Sequence, residues 1–299
     1  MPYFKSKYTI GIGEVLWDIL PEGRKIGGAP ANFAYHASQF GLDSIVISAI
    51  GKDNYGRELA AGLTEMKLKA FLPIVEFPTG TVSISVDTDG IPSYDIRQNS
   101  AWDNIPFTNE LENIARNTCA VCFGSLAQRN RTSMNTIHRF LDTMPHDENI
   151  LKIFDINLRQ SFYSKDVVNK SLNKCNIVKM NDDEIRIVRD LLKYEEQDFK
   201  DLCEKIRKDY NLKILILTCG INGSYVFSNE GISYESTPKV EVADTVGAGD
   251  SFTAAFISSL LHGKNIREAH KNGVKVSAYV CGCHGAMPTL PENISDLLR

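Results

Sequence analysis

A chain of 299 residues, 43 % of them hydrophobic, can bury a sizeable core, and one large α/β domain spanning 1–299 is the expectation. The formal net charge of −4, with no run of like charge, offers no field for nucleic acid. No apolar run approaches bilayer length, and the start Met1-Pro2-Tyr3-Phe4-Lys5-Ser6-Lys7 lacks the apolar core of a signal peptide, so the sequence points away from a membrane partner and toward the cytoplasm.

Tyr8-Thr9-Ile10-Gly11-Ile12-Gly13 reads as a buried first strand, and Glu14 to Leu20 continues in extended, alternating character into the turn Pro21-Glu22-Gly23. Gly27-Gly28-Ala29-Pro30 then opens a helix with Ala31, Ala34 and Tyr35 on its apolar face, ended by Gly41 and followed by a strand from Ser44 to Ile50. Strand, helix and strand in that order predict a parallel crossover.

Thr81 to Asp87 alternates cleanly, with Val82, Ile84 and Val86 on one face, and turns at Thr88-Asp89-Gly90 into Ser93 to Ile96. Such an antiparallel hairpin does not belong among parallel strands. Together with 14–26, the segment 80–98 forms either a small sheet projecting as a lid or an antiparallel edge of the main sheet. From about residue 110 strands and helices alternate: strand Cys119 to Phe123, helix Thr132 to Met144, strand Leu151 to Ile156, a helix near Val167 to Asn173, strand Ile177 to Met180, two helices, and strand Leu212 to Thr218. A turn-rich hairpin follows, then an apolar helix from Phe252 to Leu261, a second from Ile266 to Cys281, and the turn Gly285-Ala286-Met287-Pro288. The seven cysteines, an odd number scattered through apolar segments, suit reduced thiols in a core. Cys119/Cys122 sits in the strand-like run Cys119-Ala120-Val121-Cys122-Phe123, and Cys281/Cys283/His284 is not a standard pair of ligand knuckles, so neither suggests structural zinc.

The stretch that carries chemistry is Asp244-Thr245-Val246-Gly247-Ala248-Gly249-Asp250-Ser251-Phe252. Small residues run straight into a helix whose first N–H groups lack internal partners, and free donors at the positive end of the dipole make an anion site. A carboxylate at Asp250 would be repelled by a bound phosphate unless it accepts a proton or faces a cation, and phosphoryl transfer supplies both conditions. Asp250 as a plain helix cap is the competing explanation. Two other nucleotide motifs are missing. Gly263-Lys264 is followed by Asn265 and has Ser258 where a P-loop needs glycine, and Gly11-Ile12-Gly13-Glu14-Val15-Leu16 lacks the third glycine of a dinucleotide fingerprint.

The stretch 244–252 resembles the C-terminal signature of the ribokinase-like (PfkB) carbohydrate kinases, and Gly27-Gly28-Ala29-Pro30-Ala31-Asn32-Phe33-Ala34 resembles their N-terminal signature. The resemblance implies a three-layer α/β/α domain with a mostly parallel central sheet and a small β-sheet lid. It implies Asp250 as the base, with Gly247, Ala248 and Gly249 forming the anion-binding turn, and Gly27, Gly28 and Asn32 contacting the sugar. Gly13-Glu14-Val15-Leu16-Trp17-Asp18 looks like the fructokinase branch, where the Asp binds sugar hydroxyls, as does Tyr94-Asp95-Ile96-Arg97 with Ala101-Trp102-Asp103. Asp18 as a turn residue and Asn32 as a helix-surface residue are the structural alternatives.

Other matches to the family follow in order along the chain. Asp155-Ile156-Asn157-Leu158-Arg159 is similar to a strand-end motif in which Arg159 clamps a phosphate, and Arg97 joins it as a substrate contact. Lys179-Met180-Asn181-Asp182-Asp183-Glu184 resembles the element that organises Mg²⁺ and phosphate through water, although Asn181 with Glu184 three residues on is also a capping box. Thr218-Cys219-Gly220-Ile221-Asn222-Gly223 looks like the loop beside the nucleotide, Gly285 with Pro288 matches the segment near adenine, and Asp244 with the Val246 carbonyl matches a monovalent-cation loop. The expected activity is transfer of the γ-phosphoryl of MgATP to a primary sugar hydroxyl, D-fructose first, with K⁺ as activator. Ribokinase, nucleoside kinase, 2-keto-3-deoxygluconate kinase and a catalytically silent binding regulator are the alternatives. An apolar outer face on the lid would favour a homodimer.

Overall fold

The computed structural model describes residues 8–21, 23–86 and 92–296. Its strands in chain order are β1 (Tyr8–Ile12), β2 (Leu16–Leu20), β3 (Gly23–Gly27), β4 (Asp43–Ile47), β5 (Ile50–Gly51), β6 (Lys69–Phe71), β7 (Ile74–Val75), β8 (Gly80–Val86), β9 (Pro92–Ile96), β10 (Thr118–Phe123), β11 (Leu151–Asp155), β12 (Ile177–Asn181), β13 (Ile214–Thr218), β14 (Ser224–Ser228) and β15 (Gly231–Glu235). The helices are α1 (Ala29–Gln39), α2 (Asn54–Glu65), α3 (Asn109–Arg116), α4 (Arg131–Thr143), α5 (Lys165–Lys174), α6 (Asp182–Leu192), α7 (Phe199–Asp209), α8 (Ala248–Leu261), α9 (Ile266–Cys281) and α10 (Glu292–Ser295).

Nine strands form the central sheet in the order β15-β14-β13-β12-β11-β10-β1-β4-β6. Pairing is parallel from β6 to β13, where crossovers join the strands, and antiparallel for β14 and β15, where short turns do. Helices cover both faces, so inner strands such as β10 are buried along their whole length. The chain leaves β1 in one direction toward β4 and β6, then resumes on the other side at β10. That reversal opens a crevice above the carboxyl ends of β1 and β10, where open α/β sheets place their ligands.

α8 lies over this crevice between α1 and α9, and every residue from Ser251 to Ser259 is buried. A helix apolar all round is one enclosed by other elements, which suits its Phe252-Thr253-Ala254-Ala255-Phe256-Ile257 sequence. The strand expected from Leu212 begins at Ile214, because the Leu212 N–H closes the end of α7 by bonding to the Arg207 carbonyl at 2.8 Å. The sequence does not predict α2, whose buried stripe is only Gly56, Leu59 and Leu63. The cysteines are free, and Cys119, Cys122, Cys175 and Cys203 are buried in the core.

The second sheet has the order β3-β2-β8-β9 and is separate from the main one, which removes the edge-strand alternative. Its outer pairs are antiparallel, but the central pair β2/β8 is parallel, a feature no hairpin pattern reveals. Trp17, Ile19 and Ile26 pack with Leu59 and Leu63 of α2, so the apolar residues of β2 and β3 face the body of the protein. Asp18 and Lys25 stand directly opposite each other across β2 and β3. The expected turn Thr88-Asp89-Gly90 lies outside the described residues, as do Met1 to Lys7, Glu22 of the first turn and Asp87 of the hairpin.

Candidate active site

Gly247 is the N-cap of α8, with φ 79° and ψ −6°. A side chain there would be strained in the left-handed region and its Cβ would fall 2.6 Å from the Ala286 carbonyl oxygen, so the turn needs glycine. No side chain caps this helix. The Ala248 N–H reaches the Thr245 carbonyl at a long 3.3 Å, and the N–H groups of Gly249 and Asp250 have no partner among the described residues. Free donors at the positive end of a buried helix can hold a phosphoryl group.

Asp250 sits in that first turn, half-buried at the crevice. Its Oδ2 accepts a 2.7 Å hydrogen bond from Asn32 Nδ2 on α1. Burial, aided by the charge of Asp155, raises the Asp250 pKa to about 6, while Asn32, Lys179 and Arg159 pull it down. A carboxylate so placed is ionised at neutral pH yet more basic than a solvated one, as a general base requires. Asn32 itself is buried, and its Oδ1 has no partner among the described residues. It is therefore not a helix-surface residue: one end of its amide is committed to Asp250 and the other awaits a donor.

Across the crevice, Asp18 lies on β2 with Gly27 beneath it, and a Cβ on Gly27 would collide with the Asp18 carboxylate. Gly28 is the N-cap of α1. Burial raises the Asp18 pKa to about 6, against the opposing effect of Lys25. Glu14, between β1 and β2, is 2 % exposed. Burial, with the Asp250 charge acting the same way, lifts its pKa to about 7. The crevice floor is made by Cys122, Phe123 and Gly124, with Ala29, Pro30, Asp155 and Asp250 around it.

Beneath α8 lies a buried charge pair. Lys179 Nζ of β12 donates to both carboxylate oxygens of Asp155 at 3.0 Å, and Thr253 Oγ1 donates to Asp155 Oδ2 at 2.9 Å. A Cβ on Gly249 would sit 3.2 Å from Lys179 Nζ, so the pair fixes the first turn of α8 from below. Burial works against the Lys179 charge, but Asp155, Glu184 and Asp250 outweigh it and raise its pKa.

Asn181 and Glu184 form a capping box. Asn181 Oδ1 accepts from the N–H groups of Asp183 and Glu184, and Glu184 Oε2 accepts from the Asn181 N–H. Glu184 Oε1 accepts from the Leu158 N–H at 2.9 Å. Asn181 Oδ1 is thus fully used, whereas each Glu184 oxygen keeps a lone pair, enough to hold a Mg²⁺-bound water but not to enclose the ion. Asp244 bridges two loops, accepting from the Val246 N–H at 3.0 Å and the Gly285 N–H at 3.1 Å. It too retains a lone pair on each oxygen, beside the exposed Val246.

Thr218 pairs with Asn181 at the carboxyl ends of β13 and β12, which puts the loop Gly220 to Gly223 on the crevice side of the sheet. Arg159 is exposed, and its charge acts on both Glu14 and Asp250. Arg97 is exposed just after β9, and its charge acts on Asp53, the N-cap of α2. Asp103 holds Arg129 through two 2.8 Å bonds, while Arg129 also bonds the Arg97 carbonyl and stacks on Trp102. That segment braces the base of the small sheet.

Comparison with known proteins gives the family and the fold. The profile of the pfkB family carbohydrate kinases matches residues 22–293. The chain is 27 % identical over 307 residues to an ATP-dependent 6-phosphofructokinase of Thermoanaerobacterium thermosaccharolyticum, covering 96 % of this chain and 92 % of that protein. It is 26 % identical over 281 residues to a 5-dehydro-2-deoxygluconokinase of Bacillus thuringiensis, covering 89 % and 84 %. Among solved structures, a double-mutant fructokinase of Vibrio cholerae in its fructose, ADP and potassium-bound form superposes with a TM-score of 0.81 at 21 % identity, over 99 % of each chain.

Proposed function

The chain belongs to the pfkB family of carbohydrate kinases, and we propose that it transfers the γ-phosphoryl of MgATP to the 6-hydroxyl of D-fructose. The observation that carries this reading is the Asn32 to Asp250 bond at the open N-terminus of α8. It joins a sugar-holding helix to an anion-holding one at the position where a hydroxyl must meet a phosphoryl group.

In this reading Asp250 accepts the proton of the attacking hydroxyl, and the N–H groups of Ala248, Gly249 and Asp250 stabilise the charge on the moving group. Gly247 keeps that turn open. Asp18, Gly27, Gly28 and Asn32 orient the sugar hydroxyls, and Arg159 clamps a phosphate. Asn181, Thr218, Gly220, Gly223 and Gly285 line the nucleotide. Glu184, through a water, would help to hold a Mg²⁺ ion, which would supply charge neutralisation at the phosphates. Asp244 and the Val246 carbonyl would hold a monovalent cation. The small sheet, 14–26 with 80–98, acts as a lid that carries Asp18 onto the sugar and excludes water from the transfer.

Fructose is favoured by the Glu14 to Asp18 stretch and by the fructose-bound fructokinase of the same fold. A second reading, with fructose 6-phosphate as acceptor, draws on the phosphofructokinase relative and on Lys25, a cation facing Asp18. Parallel incubations with ATP and either fructose or fructose 6-phosphate, followed by ³¹P and ¹³C NMR of the product, test the first reading, with fructose 6-phosphate consumption as the rival outcome. Fructose 6-phosphate is expected. A product phosphorylated at the 1-hydroxyl, or none while fructose 6-phosphate is consumed, contradicts it.

A further inference from the structure

The crevice contains a second carboxyl that the transfer step does not use. The backbone N–H groups of Glu14 itself and of Ala29, the first residue of α1, favour its charged form, but burial outweighs them. Glu14 Oε2 is buried and has no partner among the described residues. A buried carboxylate oxygen with no donor is costly, and the cost is relieved if that oxygen carries a proton. The charged groups facing it come from every neighbouring element. Asp250 on α8 and Arg159 after β11 act on it directly. Asp155 of β11 and Lys179 of β12 share with it the surroundings of Cys122, at the end of β10. Three carboxyls therefore share this space with one buried ammonium and one guanidinium on the rim.

A polyanionic phosphoryl donor at the N-terminus of α8 makes that balance more negative, and the group best able to respond is the one with an unpaired oxygen. We propose that Glu14 is a positioning residue that takes up one proton from solvent when an anionic phosphoryl donor occupies the N-terminus of α8, leaving Asp250 as the charged base. The new O–H forms on Oε2, the proton comes from water or buffer, and no bond in the donor is made or broken. Neutral Glu14 spares Asp250 a neighbouring negative charge. Because burial holds its pKa at about 7, Glu14 in the free protein is mostly ionised at slightly alkaline pH and has a proton to gain.

The inference rests on the phosphoryl-donor site and not on fructose being the acceptor, so the probe is a non-hydrolysable ATP analogue with Mg²⁺ and no sugar. Calorimetric titration at pH 7.5 in two buffers of different ionisation heat counts the protons. Wild type and Asp250→Asn should take up about half to three-quarters of a proton per analogue bound. Glu14→Gln should bind the analogue within a few-fold of wild type and take up almost none. Uptake in Glu14→Gln equal to that of wild type overturns the inference, as does binding by wild type without uptake. Infrared difference spectra of wild type and Asp250→Asn give a readout that needs no change at Glu14. A protonated-carboxyl band should appear in both on adding the analogue, and its absence contradicts the inference.

Discussion

Asn32 Nδ2 donates to Asp250 Oδ2 over 2.7 Å, joining residues 218 positions apart in the chain. The bond favours the ionised form of Asp250 and so holds down a pKa that burial has raised to about 6. Asn32→Ala should therefore move the acid limb of the kcat/KM profile to higher pH. Sugar KM should rise by about two- to tenfold, the scale of one lost neutral hydrogen bond. A pH-rate series on both proteins checks this, and an unmoved limb would show that Asn32 does not tune the base.

Replacing the base itself separates chemistry from binding. Asp250→Asn should lower kcat by about 10²–10⁴ while leaving nucleotide affinity nearly intact. A variant that kept more than about a tenth of wild-type kcat would demote Asp250 to a helix cap.

The same residue links the site to stability. Folding raises the Asp250 pKa from 3.8 to about 6, so the folded state holds a proton that the unfolded state releases between those values. Stability contributed by that proton is present below pH 3.8 and lost as pH rises through 6. Asp250→Asn should therefore melt higher than wild type at pH 8, by an amount on the order of 1–3 kcal/mol, and the gap should close near pH 4. Parallel thermal melts at the two pH values measure it.

Lys179 and Asp155 are respectively 8 % and 7 % exposed, a buried pair that cannot be half-removed cheaply. Lys179→Met should cost about 3–5 kcal/mol, because Asp155 is left charged and desolvated. Adding Asp155→Leu should recover part of the loss. Chemical denaturation of the single and double variants decides this, and additive losses would mean that the pair is not the source.

Much of this arrangement was legible in the sequence because its signals are local. The turn Gly247-Ala248-Gly249 before an apolar helix marks an anion site, and Gly27-Gly28 before Pro30 marks a helix start. Glu14 and Lys179 were harder. Glu14 follows the apolar β1 and Lys179 sits in the middle of the apolar β12, anomalies visible in the sequence, but their partners lie on other elements and no spacing reveals them. Thr253 reads as one more small helix residue until Asp155 is found beside it. Arg97, just after β9, acts electrostatically on Asp53 at the start of α2, a neighbourhood that no spacing in the sequence reveals.

Glu184 and Asp244 each have spare lone pairs on oxygens already anchored by backbone N–H groups. Turnover should stop in excess EDTA and return with Mg²⁺, and should fall when K⁺ is replaced by a large organic cation. Glu184→Gln should raise the Mg²⁺ concentration required for half-maximal rate. It should also loosen α6, since the carboxylate serves the capping box. An undiminished rate in EDTA would remove the divalent ion from the mechanism.

The acceptor is decided by comparing kcat/KM for fructose, fructose 6-phosphate, ribose, 2-keto-3-deoxygluconate, 5-dehydro-2-deoxygluconate and adenosine in one ADP-release assay. A furanose offers its primary hydroxyl to Asp250 and its secondary hydroxyls to Asp18 and Asn32. The additional anomeric hydroxymethyl of fructose must find its own partners, which ribose would leave unpaired at a cost of about 1–3 kcal/mol. Fructose is expected to give the highest value, by at least tenfold over ribose. Any other acceptor leading fructose by tenfold would contradict the fructokinase assignment.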